Sequence, residues 1–231
     1  MNLVYLLLAL SLLVFILRRY QKGRHIRQWK KALHLHEHQQ VFQNIYQNTN
    51  GFILSQQARQ KNDAPEYVYG EIEFIPFIAL LSLISPNDKT IFYDLGCGTG
   101  KAVLACAMVF PVHQSVGVEL FPELYLSACK QAEQLAQIAN YSEQIKKIKF
   151  ISGDFLETNL NDATLIFINS SALFGPTWEK LCERLNHLPH LDTVITTSKA
   201  LHSDKFSIIQ RVPVAMSWGV VYAYIHARKY K

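Results

Sequence analysis

Hydrophobic positions along this chain switch repeatedly between a two-residue and a 3.6-residue period. Short runs rich in β-branched and aromatic residues recur at 90–94, 115–119, 147–151, 164–169 and 192–197. Such runs predict strands. Between them lie stretches with helical spacing at 101–110, 122–140 and 176–188. Strands alternating with helices predict an α/β fold, a parallel sheet with helices on both faces. The C-terminal end breaks the alternation. Residues 206–212 and 220–228 are two β-rich runs with no helix between them, which predicts a closing antiparallel pair. Pro213 is expected to end the first of these runs.

The N-terminal end follows neither period. Residues 3–17 carry no charge, and as a helix they span roughly 23–25 Å, a little under the usual hydrocarbon thickness. A signal peptide places basic residues before its apolar run and a small-residue cleavage site after it. Here Met1-Asn2 precede the run and the basic residues follow it. Residues 1–20 are therefore expected to be a single transmembrane anchor. The positive-inside rule places the rest of the chain in the cytoplasm, with Arg18, Arg19 and Lys22 reaching anionic headgroups. Residues 21–64 are expected to be a basic juxtamembrane connector, helical in part, and 65–231 the globular domain. Within the connector His34 and His38 would share a helix face with His36 beside them. No acid or cysteine cluster lies nearby, so a solvated histidine face is expected rather than a metal site.

Composition changes the picture in two places. The chain has 231 residues, 49% hydrophobic and 18% charged, enough for one α/β domain plus a small segment and not the signature of disorder. Cys97, Cys106, Cys129 and Cys182 form no C-x-x-C pair, which fits a reducing compartment and carries no zinc signature. The net charge of +5 is misleading. Seven basic residues (Arg18, Arg19, Lys22, Arg24, Arg27, Lys30, Lys31) crowd into 18–31 without an acid, leaving −2 for residues 32–231. A slightly acidic domain argues against a broad nucleic-acid-binding face, so nucleic acid is not expected to be required.

The candidate chemistry centres on Asp94-Leu95-Gly96-Cys97-Gly98-Thr99-Gly100-Lys101, between a strand and a helix. Its glycines let the chain turn sharply and let backbone approach a ligand. The spacing is neither G-x-G-x-x-G nor a Walker loop. It resembles motif I of the class I S-adenosylmethionine-dependent methyltransferases, with Asp94, Gly96, Gly98, Gly100 and Lys101 expected at the donor. Glu119 ends the next strand, 23 residues after Gly96, where an acid takes ribose hydroxyls in related nucleotide folds. Gly153-Asp154-Phe155 follows the third strand. There an Asp accepts from an adenine amino group and an aromatic packs on the ring. Asn169 ends the fourth strand without the Pro-Pro-aromatic sequence of many base and glutamine methyltransferases. Its carbonyl is a candidate for orienting an amine nucleophile, and a strand-end turn residue is the alternative.

Several segments together resemble the Dot-type (disruptor of telomeric silencing) histone lysine methyltransferases. These are Val68-Tyr69-Gly70-Glu71, Asp94 to Gly100, Gly117-Val118-Glu119, Gly153-Asp154-Phe155, Asn169 through Phe174-Gly175-Pro176, Ser198-Lys199, and Ser217-Trp218 with Tyr224-Ile225-His226. The resemblance implies a Rossmann-like seven-stranded class I methyltransferase domain that uses S-adenosyl-L-methionine. It implies a lid of Tyr69, Gly70 and Glu71 over the donor. It also implies a narrow lysine channel of Asn169, Trp218 and a tail tyrosine, Tyr222 or Tyr224. An aromatic channel disfavours the ammonium and tolerates a methylated amine. The chain departs from the family at Ile72, after Asn169, and between Trp218 and His226, and it shows no basic nucleosome-binding extension. The expectation is a membrane-anchored protein lysine methyltransferase whose partner is a protein presenting a lysine. A lysine methyltransferase of a membrane protein (the ATP-synthase c-subunit type), a small-molecule or lipid methyltransferase, and a non-catalytic donor-binding scaffold are the alternatives.

Overall fold

The computed structural model describes residues 3–60, 67 and 69–229, with the side chains of 3–11, 13 and 16 outside the described set. The chain divides into two compact units, Met1–Val41 and Phe42–Lys231. The first unit is built on α1 (Leu3–Ala32), which runs without a break from the apolar run into the basic cluster. Among the described residues no helix is long and apolar enough to cross a membrane. The expected span over 3–17 finds no support there, and most of its side chains lie outside the described residues. α1 ends in a turn at His34, whose φ is 48°. His34 Nδ1 lies 3.2 Å from Glu37 Oε2 and Gln40 Nε2 donates to His36 Nε2 at 3.1 Å. Among the described residues no cluster of three metal-ligating side chains occurs.

The second unit opens in α2 (Leu35–Tyr46), where Phe42, Ile45 and Tyr46 share one buried stripe. The Phe42 ring sits 4.8 Å from that of Phe74. α3 (Gly51–Arg59) follows, capped by the Asn50 side chain accepting from the Ile53 N–H. Gln131 Nε2 donates to Thr49 Oγ1 at 2.9 Å. Residues 42–60, expected in the connector, thus pack as part of the domain. Their apolar residues are helically spaced and need a partner surface.

The sheet has seven strands in the order β3-β2-β1-β4-β5-β7-β6. β1 (Ile91–Leu95), β2 (Gln114–Glu119), β3 (Ile148–Ser152), β4 (Leu165–Ile168) and β5 (Thr193–Thr197) are parallel. β7 (Gly219–Arg228) lies antiparallel between β5 and β6 (Phe206–Met216). Pro213 does not end β6, which continues to Met216. β6 is an edge strand, where a residue without an N–H loses no ladder bond if it faces outward. The helices are α4 (Phe74–Ser82), α5 (Lys101–Val109), α6 (Pro122–Ala136), α7 (Ser142–Ile145) and α8 (Gly175–His187). Strand residues alternate between two cores. Phe92 and Phe167 meet Phe77 of α4 on one face. Tyr93, Leu95, Ile166 and Val194 pack with Leu181 and Leu185 of α8 on the other. The parallel strands all point their carboxyl ends at one edge, and chain order reverses between β1 and β4. That edge is where ligands bind in open α/β sheets.

Candidate active site

The chain leaves β1 at Leu95 and turns through Gly96–Gly100 into α5. Gly96, Gly98 and Gly100 hold φ of 78°, 56° and 81°, values that a β-carbon resists. The N–H groups of Gly96 and Cys97 both donate to Val118 O, at 2.9 and 3.0 Å, hooking the loop over the end of β2. There Glu119 accepts the Gly98 N–H on Oε2 at 2.7 Å and the Phe121 N–H on Oε1 at 2.9 Å. Glu119 is buried. Burial raises its pKa, and the amides of Phe121, Gly98 and Leu120 oppose the rise. Asp94 lies beneath the loop on the neighbouring strand. Burial first, and the Glu119 charge second, push its carboxyl up to about 8. Two buried carboxylates at one strand edge are costly alone and suit a cationic ligand with hydroxyls to share.

Tyr69, Gly70 and Glu71 close over this loop. Val68 of the same motif lies outside the described residues. The Tyr69 ring lies so close to Gly98 that a β-carbon there would collide with it. Its hydroxyl donates to Glu71 Oε1 at 2.5 Å, and Lys101 Nζ donates to Glu71 Oε2 at 2.5 Å. Glu71 is thereby committed to holding its segment against the glycine loop. Its backbone is held as well. The Glu71 N–H donates to Ser217 Oγ at 3.1 Å, the Ser217 N–H to Glu71 O at 2.8 Å, and Ile72 bridges Met216. Trp218 consequently lies against Gly70, where any β-carbon would strike its ring.

Two cavities meet under this lid. One, of about 200 Å³, is lined by Gly96, Glu119, Asp154 and Phe155 among others. The other, of about 450 Å³, has Ser171, Phe174 and Trp218 in its wall. Tyr69, Gly70, Asn169 and Ala172 line both. Asp154 accepts the Leu156 N–H at 2.7 Å, and Arg184 Nη1 donates to Phe155 O at 2.9 Å, so that loop is fixed from behind. The first cavity also holds Ser55, Tyr67 and Thr177, which sequence reasoning missed. They come from α3, from the segment before Tyr69, and from α8, with no motif to mark them.

Asn169 stands at the junction, and its amide is fully oriented. Oδ1 accepts from Thr197 Oγ1 at 2.8 Å and from Ser171 Oγ at 3.0 Å, and Nδ2 donates to Gly70 O at 3.1 Å. Ser198, next to Thr197, holds a φ of 68° and lies 2.7 Å from Ser171 Oγ. A strained non-glycine residue beside a polar network marks a site held in place by its surroundings. Thr197 and Ser171 also escaped sequence reasoning. The signal was topological: Ile168 pairs with Thr196 in the parallel register, so residues 169 and 197 leave the sheet side by side.

The structure brings Tyr69, Gly70, Gly96, Glu119, Asp154, Phe155, Asn169 and Trp218 to the cavity walls. Asp94, Gly98, Gly100, Lys101 and Glu71 form the shell behind them. Tyr222 and Tyr224 line neither cavity. Ala223 and Ile225 face the core, so both tyrosines fall on the opposite face of β7. There the Arg211 guanidinium lies 3.7 Å from the Tyr222 ring and 5.4 Å from that of Tyr224. His226 is structural. The Leu201 N–H donates to its Nε2, and its Nδ1 lies 3.1 Å from Val194 O.

Sheet order, glycine loop and the acids at the strand ends define a class I S-adenosylmethionine-dependent methyltransferase fold. Solved structures agree. The magnesium protoporphyrin IX methyltransferase of Synechocystis PCC 6803, with S-adenosylmethionine bound, aligns over 80% of this chain and 94% of its own at 14% identity, with a TM-score of 0.51. The B. subtilis M1A22 tRNA methyltransferase aligns over 66% of this chain and 65% of its own at 16% identity, with a TM-score of 0.50. Residues 53–218 match the model of the family described as Histone methylation protein DOT1, and the chain belongs to that family. The H3 lysine-79-specific histone-lysine N-methyltransferase of Drosophila melanogaster is 31% identical over 158 residues, 64% of this chain and 8% of its own length. A protein-lysine N-methyltransferase of Saccharolobus islandicus is 28% identical over 105 residues, 44% of this chain and 61% of its own. The residues fit the donor that this fold carries. Glu119 and Asp154 offer acceptors to hydroxyl and amino groups, and Phe155 and Leu124 offer apolar walls.

Proposed function

We propose that this domain transfers the methyl group of S-adenosylmethionine to the ε-amine of a lysine in a protein. The observation that carries the reading is the meeting of the two cavities at Asn169. One is lined by acids that suit an adenosyl group, and the other is open, walled by Trp218 and Phe174, with about 450 Å³ for an incoming side chain. The bound donor supplies an already activated methyl group on a sulfonium. What remains for the protein is placement and desolvation of the nucleophile. Glu119 holds the ribose hydroxyls and Asp154 the adenine edge, against Phe155. Asp94, protonated below about pH 8, adds negative charge under the loop only above that. Trp218 and Tyr69 wall the amine's path and favour its neutral form by excluding water. Asn169, locked by Thr197 and Ser171, presents a fixed dipole where the two meet. Tyr222 and Tyr224 are not needed for this wall.

The acceptor is a protein lysine rather than a nucleosomal one in particular, because residues 32–231 carry −2 and offer no broad basic face to DNA. Membrane attachment through residues 3–17 is the finer part of this proposal. It rests on the uncharged run followed by seven basic residues and on the exposure of Leu12, Val14, Phe15 and Leu17, apolar side chains that need cover. Full-length protein released by carbonate from intact membranes would end that part without touching the chemistry. The chemistry is tested by labelled-methyl transfer into membrane, ribosomal and chromatin fractions, with the modified residue mapped by mass spectrometry. Methylated lysine is expected. Label on nucleic acid, lipid or a carboxylate would overturn it.

A further inference from the structure

Ser55 lies on the fourth residue after the start of α3 and is 1% exposed. Its hydroxyl has no hydrogen-bond partner. A helical serine ordinarily donates to the carbonyl one turn back, here that of Gly51, and Ser55 does not. A buried hydroxyl left unpaired is unfavourable, and such groups in folded proteins call for a missing partner. Ser55 lines the same cavity as Glu119 and Asp154. α3 packs on α6, which begins directly after Glu119-Leu120-Phe121. The face of α3 that carries Ser55 therefore borders this cavity on the side where α6 leaves Glu119, with Gly51, one turn earlier, against Tyr69.

We infer that Ser55 is a further donor-binding residue, its hydroxyl completing the hydrogen bonding of the nucleoside's ribose beside Glu119. The inference rests on the donor reading proposed above. It gives α3 a purpose that packing alone does not, since an alanine at 55 would fill the same helical position without an orphaned polar atom. Glu119 already spends both oxygens on the Gly98 and Phe121 amides. Those two bonds fix its carboxylate and leave the remaining lone pairs for a ribose, and a hydroxyl that both donates and accepts complements an acceptor-only group.

The test pairs Ser55→Ala with wild type in two measurements on the whole chain. In calorimetric titration with S-adenosylhomocysteine and with 5′-methylthioadenosine, the variant is expected to lose about two- to tenfold in affinity for both, the range of one neutral hydrogen bond. With a ribose-deoxygenated analogue of 5′-methylthioadenosine, wild type and variant should differ by less than twofold. In thermal unfolding without ligand the variant should melt no lower than wild type, because the atom removed has no partner, while its ligand-induced shift shrinks. Equal affinity of variant and wild type for S-adenosylhomocysteine would overturn the inference. So would a loss confined to S-adenosylhomocysteine and absent with 5′-methylthioadenosine, which would place the hydroxyl at the amino-acid end. Failure of wild type to bind any of the three would instead defeat the donor reading itself.

Discussion

Replacing Asp94 with asparagine should change how the folded protein responds to pH more than how it looks. Asp94 is buried at the end of β1, and its carboxyl is pushed from an ordinary 3.8 up to about 8, first by burial and then by Glu119. Between those two values the folded protein holds a proton that the unfolded chain has released. Stability then falls as pH rises, by about 1.4 kcal/mol per pH unit for one proton. From pH 5 to pH 7 the group alone should remove about 2.7 kcal/mol, the loss beginning above the unfolded value and ending near 8. A carboxamide does not titrate in this range, so Asp94→Asn lacks this slope. Urea unfolding of both proteins at pH 5, 6 and 7, without ligand, measures the difference directly. The variant should gain on wild type by about 1.4 kcal/mol with each unit. Parallel stability profiles would refute the claim that this carboxylate is held protonated under the loop. The variant should also bind donor more weakly at pH 8 and above, where wild-type Asp94 has become an anion.

Trp218→Ala should leave affinity for S-adenosylhomocysteine within twofold of wild type and lower the methyl-transfer rate about tenfold or more, since its ring walls the acceptor side alone; a matched loss in both would place Trp218 at the donor. Lys101→Met removes the cation from Glu71 in a pair whose side chains are 25% and 14% exposed. It should cost about 1–3 kcal/mol in denaturant unfolding, and an unchanged midpoint would show that Tyr69 alone holds the clasp. Burial lowers the pKa of His226, so its contribution is present above its ordinary value of 6.5 and is lost as pH falls through the lower folded one. Acid-side unfolding curves of wild type and His226→Gln should differ in that window and run together above pH 7.

Much of this architecture was legible in the chain because it rests on local pattern. The five parallel strands and three long helices follow from alternating periods, and the strand-end acids from their distance past the glycines. Residues 42–60 were harder. Their apolar stripe is visible, but only the surface around Phe74 and Gln131 shows that it belongs with the domain. Pro213 misled because its cost depends on which side of β6 is paired, a property of the sheet. The tail tyrosines were misplaced for a similar reason. Strand alternation puts Tyr222 and Tyr224 on one face, and nothing local says which face meets the cavity. Glu71 is the instructive case at the site. The resemblance implies a lid that includes Glu71 but not what holds it: Lys101 and Tyr69 claim its carboxylate, and the pairing with Lys101 spans 30 residues. Ser55, Ser171 and Thr197 carry no motif because their importance comes entirely from what the fold places next to them.

The hydrogen bonds between Glu71 and Ser217 join positions 146 residues apart. On a ribosome the first partner leaves the exit long before the second is made. The glycine loop and its acids can form from residues 91–119, and Lys101 can already clasp Glu71, but the backbone of the lid is not pinned until the turn between β6 and β7 arrives. Closing so long a loop comes late in folding, because its entropy must be met before the contact rewards it. The nascent domain would thus acquire a place for the donor well before it acquires a path for the acceptor. A chain cut short by its last fifteen residues would lack β7 and Trp218, and with them the wall of the proposed acceptor path.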